Sequence, residues 1–110
     1  MKKIYLIHGW GEHPNGHFFP WLKKELQKNG FKVIQPQMPN TETPKIKEWV
    51  DFLSELVGIA DKNTFFVGHS IGCQTILRYL ENQNKKIGGV VFVAGWFDLD
   101  NLESLKSIEI

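Results

Sequence analysis

The chain is poor in the residues that disulfide or zinc-thiolate chemistry requires. Of its 110 residues only Cys73 is a cysteine, so neither an intrachain disulfide nor a thiolate zinc cluster can be built from it. The four histidines are His8, His13, His17 and His69, and none follows Ser70. No apolar run approaches the roughly 20 residues of a membrane helix. The run that follows Met1-Lys2-Lys3 is Ile4-Tyr5-Leu6-Ile7, short of the roughly 7–15 apolar residues of a signal peptide. A single thiol fits a reducing compartment, and the cytoplasm is the expected location. Excess charge is also missing. Thirteen Lys and Arg face twelve Asp and Glu, a net charge of +1, which gives no electrostatic reason to expect nucleic acid or an anionic membrane as partner. Lys85-Lys86 reads as a solvated turn.

What is present suffices for a core. Hydrophobic residues make up 42% and charged residues 23%, the balance of a globular protein, and residues 1–110 read as one domain. Residues 4–7 read as a buried strand. Gly11, Pro14, Asn15 and Gly16 mark the following loop. Pro20 suits the first turn of a helix that carries Trp21, Leu22 and Leu26 and ends at Gly30. Residues 31–35 read as a second strand, closed by Pro36 and Pro39. Ile46, Trp49, Val50, Leu53, Leu56 and Val57 fall on one face of an amphipathic helix. Residues 64–67 form a third strand, the next helix carries Ile76, Leu77 and Leu80, and residues 90–94 form a fourth strand. Residues 101–107 read as a short helix. Strands alternating with helices predict an α/β protein: a doubly wound, mostly parallel sheet with helices on both faces and strand order 2-1-3-4.

The chief chemical signal is Gly68-His69-Ser70-Ile71-Gly72 between a strand and a helix. A serine hydroxyl is a weak nucleophile until it is held out and paired with a base. A sharp strand-to-helix turn, the nucleophile elbow, presents its Oγ at the end of the sheet, and Gly68 and Gly72 leave room for the helix to pass the strand. Acyl transfer also needs N–H donors aimed at the developing oxyanion. Here the amide after the serine, Ile71, and the amide of Trp10 in His8-Gly9-Trp10-Gly11 are the candidates for that oxyanion hole. Gly9-x-Gly11 lacks the third glycine of a dinucleotide fingerprint, and no Gly-Lys-Ser/Thr follows a strand, which argues against a nucleotide site.

His-Gly-Trp-Gly after the first strand, Phe-Pro-Trp-Leu-Lys-Lys-Glu-Leu, Pro-Gln-Met-Pro-Asn, Gly-His-Ser-Ile-Gly and Val-Phe-Val-Ala-Gly-Trp-Phe together resemble the α/β-hydrolase superfamily. Within it the chain is most similar to the small serine hydrolases related to retinoblastoma-binding protein nine, over the first half of that domain. The resemblance implies hydrolysis of a small-molecule ester or amide by a Ser-Asp-His triad, with no metal and no cofactor. It also implies a triad acid and base beyond residue 110, because the order is Ser, acid, His and no histidine follows Ser70.

Other residues are weaker candidates. His13 and His17 lie on the loop expected to overhang Ser70, and Asp98 follows the fourth strand, but exposed loop groups are the simpler reading. His8 reads as structural, His69 as packed around the elbow, and Cys73 as a buried apolar side chain. Trp10, Phe18, Phe19, Trp96 and Phe97 could line an acyl pocket or belong to ordinary packing. A half-domain would expose its fourth strand. The alternative to an enzyme is therefore a non-catalytic module that forms a homo-oligomer through the open sheet edge or needs a partner.

Overall fold

Short apolar runs in the strands and 3.6-residue patterning in the helices resolve into a layered α/β unit. The computed structural model describes residues 1–16, 18–83 and 86–93. Its elements are β1 (Lys3–Ile7), α1 (Phe19–Lys28), β2 (Lys32–Ile34), α2 (Ile46–Val57), β3 (Thr64–His69), α3 (Ile71–Glu81) and β4 (Gly89–Val93). The sheet runs β2-β1-β3-β4, and every neighbouring pair is parallel. Parallel neighbours require crossovers, and the three helices supply them. The helix read over 101–107 lies outside the described residues.

β1 shows why both faces are covered. Its alternate side chains enter different cores. Tyr5 and Ile7 pack with Ile46, Trp49 and Leu53 of α2 and with Ile71, Ile76 and Tyr79 of α3. Ile4 and Leu6 pack on the other face with Phe19, Leu22 and Leu26 of α1. A strand buried on both sides must be apolar throughout, as Ile4-Tyr5-Leu6-Ile7 is. Trp49, fully buried, also donates its indole N–H to the Pro39 carbonyl at 2.6 Å, which ties α2 to the segment after β2.

Helix α1 ends as its glycine predicts. Gly30 has φ +87, its N–H bonds Gln27 O at 3.1 Å, and the Phe31 N–H bonds Leu26 O at 3.1 Å. These are the paired bonds of a Schellman cap, with Leu26 and Phe31 joining the same apolar cluster. Three apolar side chains read as helix stripe are instead exposed. Trp21 is 64% accessible, Leu77 42% and Leu56 38%. Leu56 and Leu77 fall at the margins of their helices' buried faces, whereas Trp21 lies on the side of α1 away from Phe19, Leu22 and Leu26. On α3 the buried positions are Ile71, Gly72, Cys73, Thr75, Ile76 and Tyr79.

α3 comes off β3 after a single residue, and two glycines make room for it. A Cβ on Gly72 would lie 2.4 Å from the Ile7 carbonyl oxygen and 2.9 Å from that of His8. A Cβ on Gly68 would lie 2.9 Å from the Cys73 amide nitrogen. These obstructions are backbone atoms and cannot swing aside. Gly72→Ala is therefore expected to lower unfolding stability by about 1–3 kcal/mol. Gly89→Ala meets only Phe65, at 3.4 Å, and is expected to stay within about 0.5 kcal/mol. Denaturant midpoints measure both, and equal midpoints for the two variants would contradict this packing account.

Candidate active site

Ser70 occupies the one-residue turn between β3 and α3 with φ +60 and ψ −126. That is outside the left-handed helical basin that non-glycine residues occasionally visit, and such backbone costs on the order of 1–3 kcal/mol. Hydrogen bonds hold it there. The Ser70 N–H donates to Val93 O at the end of β4 at 3.1 Å, and the Ser70 carbonyl accepts from the Cys73 N–H at 2.9 Å. Serine is among the best N-cap residues, yet this one makes no side-chain cap bond to α3. Its hydroxyl sits at the positive end of α3, among the amides that a helix start leaves without intrahelical partners. Ile71, the first residue of α3, is buried, and its N–H belongs to that set.

The loop after β1 lies directly against this turn. A Cβ on Gly9 would come within 2.9 Å of Ser70 Cβ. Trp10 packs against the α2–α3 core, and its indole N–H donates to Glu42 O at 3.0 Å. The Gly11 N–H bonds Thr41 O at 2.9 Å, and the Gly9 N–H donates to the Glu12 carboxylate at 3.1 Å. Of three consecutive amides the outer two are thus engaged, on either side of Trp10.

Glu12 is the site residue that the sequence does not single out. Its carboxylate lies 2.9 Å from Nδ1 of His69, whose ring also meets Phe18 edge to face at 5.6 Å. His69 thus faces the β1–α1 loop, pairing with a residue 57 positions earlier. Nothing in the spacing of Glu12 announces that pairing.

His8 is buried and structural. Its Nδ1–H donates to Gly9 O at 3.0 Å, and Nε2 accepts the Met38 N–H at 2.9 Å. Those partners require the neutral ring with the proton on Nδ1. Burial lowers its pKa, against the opposing pull of the Gly9 hydrogen bond and Glu12; His13 adds to the lowering. Cys73 is buried as well. Desolvation pushes its thiol up to about 11, which leaves it almost wholly protonated near neutrality. Phe19 belongs to the core under α1, the ordinary packing that is one of the two readings open for that residue. His13 is exposed. His17, Trp96, Phe97 and Asp98 lie outside the described residues. Among the described residues no cluster of His, Cys, Asp and Glu could hold a metal ion, and no helix is long and apolar enough to cross a membrane.

Comparison with known proteins gives concordant matches. The family model described as serine hydrolase matches residues 4–109. A putative hydrolase of Bacillus subtilis, YdeN, is 40% identical over 97 residues, covering 86% of this chain and 51% of its own length. The rat serine hydrolase RBBP9 is 29% identical over 75 residues, covering 67% of this chain and 36% of its own. The crystal structure of the B. subtilis ydeN product superposes with a TM-score of 0.78 at 38% identity, over 84% of this chain and 50% of that one. An extracellular α/β-hydrolase from a Paenibacillus species shares the fold, with a TM-score of 0.72 at 19% identity over 96% of this chain and 50% of that one. The chain thus spans about half the length, or less, of the curated relatives it matches.

His8 makes stability depend on pH in a defined direction. Its native pKa is depressed, so its contribution is complete above the ordinary imidazole value near 6.5. It is lost as pH falls from there through the lower native value, because the unfolded chain takes up the proton first. His8→Gln, which cannot protonate, is expected to be less stable at pH 7.5 but to lose less stability on acidification to pH 5. Thermal melts at both pH values measure this, and parallel losses in the two proteins would contradict it.

Proposed function

Because this chain belongs to the serine hydrolase family, we propose that Ser70 is the nucleophile of an enzyme that hydrolyses a small-molecule carboxylic ester or amide through an acyl-enzyme. The observation that carries this reading is the conformation of Ser70. A strained, uncapped serine at the start of a helix gains nothing as a structural turn, whereas the same strain holds a hydroxyl toward a substrate. In the proposed reaction a base takes the Oγ proton as Oγ bonds to the carbonyl carbon. The carbonyl oxygen becomes an oxyanion facing the N–H groups of Ile71 and Trp10. Collapse of that intermediate breaks the bond to the alcohol or amine, which leaves with the proton. Water, deprotonated by the same base, then releases the acid and restores Ser70.

The engaged amides of Gly9 and Gly11 support Trp10 as the loop's donor. Gly68 and Gly72 support the elbow by admitting α3. The triad acid and base are assigned to the half of the relatives' length that this chain does not span. The reading involves no cofactor, no nucleic acid and no membrane, and the buried free Cys73 is in keeping with the cytoplasm. A second reading rests on β4, whose Val90, Val91, Phe92 and Val93 are all exposed at the sheet edge. It is a non-catalytic module that pairs with a second copy there.

A fluorophosphonate probe separates the two. The full-length protein is expected to label, and Ser70→Ala to abolish labelling and lower ester turnover by at least about a thousandfold. Absence of labelling in the unsubstituted protein, with elution as a dimer, would favour the binding module and overturn the enzyme reading.

A further inference from the structure

A donor in an oxyanion hole works only if its position is held to within a few tenths of an ångström, and the loop that would carry the Trp10 donor is rich in residues that leave its backbone few intrinsic constraints. It holds Gly9, Gly11, Pro14, Asn15 and Gly16. Besides Gln35 Nε2 on the Pro14 carbonyl at 3.3 Å and the His8 ring on the Met38 N–H at 2.9 Å, three polar tethers bear on it around Trp10. Two of them, the Trp10 indole on Glu42 O and the Gly11 amide on Thr41 O, lead to the segment before α2. Neither reaches the Ser70 turn. The third is Glu12. Its carboxylate accepts the Gly9 N–H at 3.1 Å and meets His69 Nδ1 at 2.9 Å, and His69 is bonded directly to Ser70. A backbone bond from the Glu12 N–H to Gly9 O at 3.2 Å closes the same turn.

The packing leaves this carboxylate little freedom. The position of a Cβ on Gly9 is 2.5 Å from Glu12 Oε2 and 2.9 Å from Ser70 Cβ, so carboxylate, glycine and serine fill one small volume. The Glu12 and His69 side chains are 13% and 18% exposed, which limits screening of their interaction. By engaging Gly9, Glu12 also removes the amide nearest the turn from competition and leaves the next one, Trp10, to face a substrate.

We propose that Glu12 is a positioning residue that clamps the β1–α1 loop to the elbow and so sets the distance between the Trp10 amide and Ser70. The proposal rests on Ser70 as nucleophile. Glu12 acts through Gly9 and His69 and touches no reacting atom. Its loss therefore weakens an interaction made in the transition state and leaves ground-state binding alone.

The test uses the full-length protein and a chromogenic aryl ester. Glu12→Ala is expected to lower kcat by about ten- to a hundredfold, with KM within about twofold. Glu12→Gln keeps an acceptor for Gly9 and a polar partner for His69, and is expected to recover most of the loss. In the same proteins, amide hydrogen exchange at Gly9 and Trp10 should quicken at least about tenfold in Glu12→Ala, with β1 and β3 unchanged. Three results would overturn the clamp. One is an unaltered kcat in a Glu12→Ala protein that still labels at Ser70. Another is a Glu12→Gln protein as impaired as Glu12→Ala, which would mark a proton-transfer role. The last is a uniform rise in exchange, which would mark general destabilisation. If the unsubstituted protein fails to label, the nucleophile reading fails, while the exchange data still report whether the clamp exists.

Discussion

A helix can leave a central strand after one residue only if its first turn lies almost on the strand ends, and here α3 does so against the carbonyls of Ile7 and His8. The room comes from Gly72 and Gly68, where any side chain would strike backbone. Much of the site follows from that approach. The single connecting residue, Ser70, must take a positive φ. The amides of the first turn of α3 are carried to the end of the sheet, beside the loop that leaves β1. The neighbouring His8 is buried, and both of its ring nitrogens find backbone partners. Strain at the serine, which is costly taken alone, is supported by packing on both faces of the sheet and by the Val93 carbonyl.

The two cores explain how so small a unit supports such a turn. α2 and α3 cover one face of the sheet with Trp49, Leu53, Ile76 and Tyr79, while α1 covers the other with Phe19 and Leu22. β1 and β3 sit between them as the inner pair, and the candidate site lies at their C-terminal ends. That is where open parallel sheets place ligands, because strand ends and helix starts converge there. β4, at the sheet edge, keeps Val91 more than half exposed.

Much of this was legible in the sequence, and what escaped has a physical reason. The sheet order, its parallel pairing and the placement of helices on both faces follow from apolar strands alternating with amphipathic helices. Gly30 as a helix terminator and residues 68–72 as a strand-to-helix turn follow from local backbone demands. Leu56 and Leu77 were misleading because periodicity marks a stripe but not its edges, and Trp21 because an apolar residue beside Leu22 need not share its face. Phe19 and Phe18 are adjacent, yet one is core and the other packs partly on the His69 ring, a distinction only the tertiary fold makes. Glu12 escaped altogether. A charged residue in a glycine-rich loop looks solvated until the fold brings His69 to it.

The central claim is that the strained residue at the start of α3 becomes acylated. Incubating the full-length protein briefly with an activated aryl ester, quenching in acid and digesting it would locate the acyl group by mass. The account predicts one acyl increment, on the peptide that contains Ser70. An adduct on another residue, or turnover of the ester with none, would contradict it.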